Sequence, residues 1–339
     1  MILHPLVLSV TLLDLATLVL VVAASLGSIR VVLGWDPGAS GRRQLALERG
    51  AERASLEARL AVVVFALGTA LYLVAIAGVL PELIPGAMCG TGVVQSMGLA
   101  GSRSLVLRGL AAIALWAWLV LDQLGRSTPR GSLAPVTARA LLLSVPIVAL
   151  AGWDTGRALA AIDLHQAVDC CAAVYEVAAR AGASRSQLDE GSLVAGFAVT
   201  SLVLVVASLV SWRSRGDPGA IALGPIVAVW TPIAFLSLVR VFGSYHYGVL
   251  HHHCPWCLFL PEHRMVGYPI LGAALVVVLE AVAGLGAAVV GRRFPVLSGP
   301  ARARRQRAGL RVAVAAALFG VVVAGPAVVW RLRFGVWMG

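Results

Sequence analysis

The 339-residue chain is 59% hydrophobic and only 13% charged, and its mean hydropathy is +0.89. This composition excludes a soluble globular protein, because a soluble domain of this size needs a charged surface that the chain does not provide. The net charge of +11 comes from arginine without any lysine, and no aromatic residues interleave with the basic cluster as a base-stacking surface requires. We therefore expect a lipid bilayer as the main partner, and no nucleic acid.

Eight apolar stretches have the length of a transmembrane helix and predict an all-α, polytopic membrane helix bundle. The predicted spans are 6–33, 59–80, 104–123, 136–155, 193–212, 219–240, 265–290 and 311–331. The first follows an N-terminus that lacks the basic region of a signal peptide, so we interpret it as a retained span. The fourth is the least regular, since Arg139 and Pro146 interrupt it.

The distribution of arginines predicts the orientation of the spans. Loops after odd-numbered spans hold 15 arginines if Arg139, near the start of the fourth span, is counted with them. Loops after even-numbered spans and the C-terminal tail hold 7, with Arg331 at the end of the last span included. Because positive residues stay on the cytoplasmic side, both termini are predicted to lie outside. We expect a multi-pass protein of a bacterial inner membrane, with residues 1–339 as a single transmembrane domain. An alternative is two four-helix halves, 1–156 and 193–339, joined by an outer loop at 157–192.

All five cysteines fall in loops that are predicted to lie outside. The second, fourth and sixth loops contain, in that order, Cys89, Cys170 with Cys171, and Cys254 with Cys257. The outer face of a bacterial inner membrane is oxidising, and disulfides form and persist there. If the cysteines form static bridges, an odd number leaves at least one without an intramolecular partner, which favours exchange, metal binding or an unpaired thiol. Cys89 precedes Gly90, whose backbone freedom lets another group approach the thiol closely.

The stretch from Tyr245 to His263 holds five of the seven histidines and two of the cysteines. If this stretch is helical, steps of 100° per residue place four metal-binding side chains on one face and turn His252 away. These four are His251, His253, Cys254 and Cys257. Two sulfurs and two imidazoles suffice for a four-coordinate copper or zinc site, and His263 and His246 can join it if the stretch is looped instead.

The same stretch also suits thiol–disulfide chemistry. Pro255 can begin a helical turn and leave Cys254 at its N-terminal end, where a thiolate is favoured. Cys254-Pro-Trp-Cys257 resembles the active-site pattern of the thioredoxin-like oxidoreductases, although no βαβ pattern surrounds it here. The motif therefore predicts a reversible disulfide without predicting that fold.

In the arrangement of its outward cysteines, the chain resembles the quinone-linked membrane disulfide oxidoreductases and the vitamin K epoxide reductases. The resemblance implies that Cys254 and Cys257 face a quinone. It also implies that Cys89, or Cys170 with Cys171, exchanges disulfides with an extracytoplasmic protein partner.

Three functions are therefore open. The first is extracytoplasmic thiol–disulfide redox chemistry that passes electrons between a membrane carrier and a periplasmic partner. The second is the binding or transfer of copper or zinc. The third is a transporter or a structural subunit of a membrane complex, in which the cysteines only form structural disulfides between loops. Asp14 and Glu280 lie within predicted spans, where we expect them either to relay protons or to pair with neighbouring helices.

Overall fold

The computed structural model describes residues 4–36, 38–39, 41–127, 133–168, 189–214, 216, 218–249 and 252–338. Within these ranges it is helical and contains no strand, which confirms the predicted all-α class. Among the described residues, eight helical segments are long and apolar enough to cross a membrane. They are Pro5–Gly34, Arg42–Leu83, Leu99–Gly125, Ala134–Ala160, Glu190–Arg213, Pro218–Tyr247, Gly267–Arg293 and Pro295–Phe334. The protein is thus a multi-pass membrane protein, as the composition predicts.

The helices are named here in chain order. They are α1 (Pro5–Gly34), α2 (Arg42–Val74), α3 (Leu80–Leu83), α4 (Gly90–Ser96), α5 (Leu99–Gly125), α6 (Ala134–Ala160), α7 (Glu190–Arg213), α8 (Pro218–Ser237), α9 (Gly243–Tyr247), α10 (Gly267–Arg293) and α11 (Ser298–Phe334). The fourth predicted span is unbroken, since α6 runs through Pro146. Proline is tolerated inside transmembrane helices because neighbouring groups satisfy the freed backbone carbonyl.

Two π-helical turns lead into the two loops that carry the described cysteines. Ala75–Val79 continues α2 towards the loop of Cys89, and Leu238–Phe242 continues α8 towards the loop of Cys254. A π-helical turn inserts a residue and leaves local carbonyls available, and such turns occur often at functional sites. One short α-helix, α3 or α9, then separates each π-helical turn from its cysteine loop.

The chain forms two compact units. The first comprises Met1–Ala75, Val94–Leu164 and Val289–Ala303, and the second comprises Ile76–Val93, His165–Ala288 and Arg304–Gly339. Division of the chain into the halves 1–156 and 193–339 stays a prediction. In the second unit, α7, α8, α10 and α11 contribute to an apolar core around Trp230, whose ring meets Phe319 edge-on at 5.0 Å.

Within the first unit, a buried ion pair joins α1 to α5. The Arg108 guanidinium is 2% exposed and lies 2.5 Å from Asp14, with two further bonds to Thr69 and Thr155. Every polar contact of this arginine thus comes from a helix that surrounds it. A buried charge is stable only when it is paired in this way.

In the second unit, Glu280 of α10 makes a comparable contact with α11. Its carboxylate lies 2.6 Å from Arg304 and 2.9 Å from Arg311. Both acidic residues singled out in the spans therefore have arginine partners. Their role as proton relays stays a prediction.

Candidate functional site

Two separate loops of the second unit carry the described cysteines. Cys89 lies between α3 and α4, directly before Gly90, the first residue of α4. Cys254 has an extended backbone and directly precedes the 3-10 turn Pro255–Phe259, which contains Cys257. The proline ends the extended segment, because its ring disfavours helical backbone at the residue before it and suits the first position of a turn.

The two loops bring Cys89, Cys254 and Cys257 together. The sulfur atoms of Cys89 and Cys254 are 3.4 Å apart, and all three sulfurs lie within 4.8 Å of one another. The three residues are 2%, 2% and 8% exposed, and the structure holds them as thiols without a disulfide. A buried cluster of three thiols is therefore the candidate functional site.

Cys254 is the sulfur on which the polar contacts converge. The Thr91 hydroxyl lies 2.9 Å from its Sγ, and the thiols of Cys257 and Cys89 are its other hydrogen-bonding neighbours. Hydrogen bonds from Cys257 and Cys89 lower the pKa of Cys254, whereas the contacts of Cys257 with Cys254 and Cys89 raise the pKa of Cys257. Cys254 is therefore the thiol of the pair that ionises first, and the thiolate is the form that attacks disulfides or binds metals.

The Trp256 ring packs directly against Gly90 and so holds the two loops in contact. A Cβ atom added at Gly90 would lie 2.6 to 2.8 Å from three atoms of the Trp256 indole ring. Real Cβ atoms do not come this close, so only glycine allows the ring to rest on the start of α4. The tryptophan of the Cys-Pro-Trp-Cys motif thus fixes the distance between Cys89 and the other two thiols.

Tyr247, at the end of α9, supports the cluster from another side. Its hydroxyl donates a hydrogen bond to the backbone carbonyl of Cys254. Its ring packs edge-on against the rings of His252, at 4.5 Å, and His263, at 4.7 Å. Burial lowers the pKa of His252, which favours the neutral ring. These contacts assign the two histidines to the packing around Tyr247.

Of the helical and looped alternatives for 251–257, the helical one does not hold at residues 252–254, which are not helical. The ring Nδ1 of His253 lies 3.1 Å from the carbonyl oxygen of Val239, which belongs to the π-helical turn before α9. Among the described residues, the group of possible metal-binding atoms that lie close together consists of the sulfurs of the three cysteines. His251, Cys170 and Cys171, which we also predicted as site residues, lie outside the described residues.

Three parts of the site were not predicted as such. Cys89 was expected to exchange disulfides with a partner protein, not to join Cys254 and Cys257 as a third member of one cluster. Gly90, next to Cys89, was the feature of the sequence that could have indicated a close approach of another group to this thiol. Thr91 and Tyr247 gave no signal, because a hydroxyl or phenol near a loop has no distinctive spacing.

The comparisons with known proteins return no similar protein: no family model, no curated protein and no solved structure matches this chain.

Proposed function

We propose that the chain is a thiol–disulfide oxidoreductase that passes electrons from an extracytoplasmic protein dithiol to a membrane quinone. The observation that carries the proposal is the 3.4 Å separation between the sulfurs of Cys89 and Cys254, with Cys257 in the same cluster. A disulfide between any two of these thiols leaves the third beside it as an attacking group. A static bridge needs no third thiol.

The reaction balances in three steps. Cys254 and Cys257 lose two electrons and two protons to the quinone, which becomes a quinol, and an S–S bond forms between them. The Cys89 thiolate then attacks Cys254, so that a Cys89–Cys254 bond forms and Cys257 leaves as a thiol after taking up the proton released by Cys89. A partner dithiol finally reduces this bond and becomes a disulfide itself, which restores three thiols.

The position of Cys254 supports its role as the central sulfur. It contacts Cys89 directly, and Cys257 lies three residues along the chain, the spacing of a reversible redox pair. Its lowered pKa makes it the thiolate of the reduced pair. Thr91 stabilises negative charge on the same sulfur by its hydroxyl contact.

The proposed cellular setting follows from the arginine distribution. That distribution places the loops of Cys89 and Cys254 on the outer face of a bacterial inner membrane, which is oxidising. The arrangement also resembles that of the quinone-linked membrane disulfide oxidoreductases. Cys170 and Cys171 keep the predicted role of contacting the partner protein. Val168, which lies two residues before Cys170, donates a backbone hydrogen bond to the carbonyl oxygen of Pro85 at 2.9 Å.

The test uses full-length protein in nanodiscs with Cys170 and Cys171 replaced by serine, so that only the described thiols react. The protein is reduced, freed of reductant without oxygen, and mixed with a short-chain benzoquinone. We expect one quinol to form for every two thiols lost, and Cys254→Ser to abolish both changes. His253→Ala is the matched control and should behave like the parent. Three thiols that survive excess quinone would contradict the proposal.

A further inference from the structure

The three cysteines also have the dimensions of a metal site. Three sulfurs that each lie about 2.3 Å from one ion are about 3.8 to 4.0 Å from each other. In the structure one pair is 3.4 Å apart and all pairs lie within 4.8 Å. Changes of up to about 1 Å in the sulfur–sulfur distances, between side chains that are not cross-linked, would bring all three sulfurs to the distances of a common ion.

The donor set selects the kind of metal. Among the described residues, the group of ligand atoms contains sulfur only, with no imidazole or carboxylate. His253 contacts the Val239 carbonyl, and the rings of His252 and His263 pack edge-on against Tyr247. Soft thiolates select Cu(I), whereas zinc is almost always four-coordinate in structural sites and would lack a fourth ligand among the described residues.

The surroundings of the cluster also suit a soft, weakly hydrated ion. Tyr247, Trp256 and Leu260 pack against the three buried cysteines and exclude water from them. The Thr91 hydroxyl, 2.9 Å from the Cys254 sulfur, stabilises negative charge on a thiolate ligand. A hydrophobic shell of this kind controls solvent access to a metal site.

We propose that the reduced protein binds one Cu(I) ion through the sulfur atoms of Cys89, Cys254 and Cys257. This site differs from the copper or zinc site predicted from the sequence, because Cys89 takes the place of the two histidines. It uses the same thiols as the proposed redox reaction but does not depend on electron transfer. A disulfide between any two of the three removes two ligands, so the ion binds only to the fully reduced cluster.

The experiment titrates reduced full-length protein, carrying serine at positions 170 and 171, with Cu(I) buffered by bicinchoninate in the absence of oxygen. We expect one ion per chain, and X-ray absorption should show three sulfur neighbours and no nitrogen. Bound Cu(I) should also protect all three thiols from alkylation, a measurement that requires no further substitution. An absence of binding, a nitrogen neighbour, or a preference for Zn(II) would overturn the proposal.

Substitutions identify the ligands. Loss of a partner that only orients a metal ligand lowers metal affinity by roughly 10- to 100-fold, so Cys89→Ser should lower Cu(I) affinity at least as much. His253→Ala should leave it unchanged, and unchanged affinity in Cys89→Ser would refute the site. The outcome is separable from that of the redox proposal. Copper binding without quinone reduction would refute only the redox reaction, and quinone reduction without copper binding would refute only the metal site.

Discussion

The sulfur atoms of Cys89 and Cys254 lie 3.4 Å apart although 165 residues separate them in the chain. Two loops that follow two different π-helical turns have to meet for this contact to form. The contact turns a common Cys-x-x-Cys motif into a cluster of three thiols. It is also the relationship on which the proposed exchange reaction and the proposed copper site both depend.

The first prediction concerns which disulfides form. In protein with serine at positions 170 and 171, mild oxidation with diamide should join Cys89 to Cys254 when Cys257 is replaced by serine. When Cys89 is replaced instead, Cys254 should join Cys257. Peptide mapping by mass spectrometry under non-reducing conditions identifies each bond. Replacement of Cys254 should give the slowest bond formation, because it removes the central sulfur, and equal rates in all three variants would contradict the assignment.

The second prediction concerns Gly90. Alanine there places a Cβ atom within 2.6 to 2.8 Å of the Trp256 ring. Overpacking costs about 1 to 3 kcal/mol, which lowers the population of the native contact between the two loops by about 5- to 150-fold. The Cys89–Cys254 disulfide should therefore form more slowly in Gly90→Ala, whereas the Cys254–Cys257 disulfide should form at its normal rate.

Two variants control this experiment. Gly78→Ala places its Cβ where no atom lies within 4 Å, so it should have no effect on either disulfide. Trp256→Ala added to Gly90→Ala removes the clash and should restore part of the rate. If Gly90→Ala slows neither bond, Trp256 does not set the spacing of the loops.

The third prediction concerns the ion pair between Asp14 and Arg108. Asp14→Ala leaves a guanidinium that is 2% exposed without its carboxylate, which should destabilise the protein by about 3 to 5 kcal/mol. The double variant Asp14→Leu with Arg108→Met should recover most of this loss. Thr155 keeps a partner in that variant, because its hydroxyl also donates to the Ala151 carbonyl. Reversible unfolding in mixed micelles gives the free energies.

The exposed pair of Arg53 and Glu57 is the matched control. Its side chains are 82% and 21% exposed, so Glu57→Ala should change the free energy of unfolding by only about 0.3 to 0.5 kcal/mol. A small effect of Asp14→Ala would show that water reaches Arg108. In that case the hypothesis that Asp14 relays protons would gain support over a structural role.

The fourth prediction concerns orientation. Green fluorescent protein fused after Gly50, Gly131 or Gly299 should fluoresce, because the arginine distribution predicts that these loops lie in the cytoplasm. Alkaline phosphatase inserted near Gly182 should be active outside. Phosphatase activity at Gly299 would reverse the orientation and move Cys254 to the reducing side, where a disulfide oxidase has no use.

Fold class was readable from the sequence because the bilayer constrains it so strongly. A backbone in lipid must satisfy its own hydrogen bonds, so apolar stretches of sufficient length become helices. The eight spans were therefore found, including the one that Pro146 interrupts, since transmembrane helices tolerate proline. Their ends were less predictable: α2 begins at Arg42, well before the apolar stretch predicted at 59–80, because a helix continues past the lipid as long as its side chains allow.

The site was only partly readable, for a different reason. Composition and spacing along the chain predicted Cys254, Cys257 and Cys89 as site residues, and Pro255 as the start of a turn, which the structure has. They did not reveal that His253 contacts Val239, or that Trp256 packs on Gly90, because these contacts join residues that are distant in sequence or turned by an irregular backbone. The sequence by itself determined which chemical groups the loops between the helices carry. Only the tertiary structure decided which of them meet, because the packing of helix ends and loops places three sulfurs within 4.8 Å and leaves the described imidazoles outside that group.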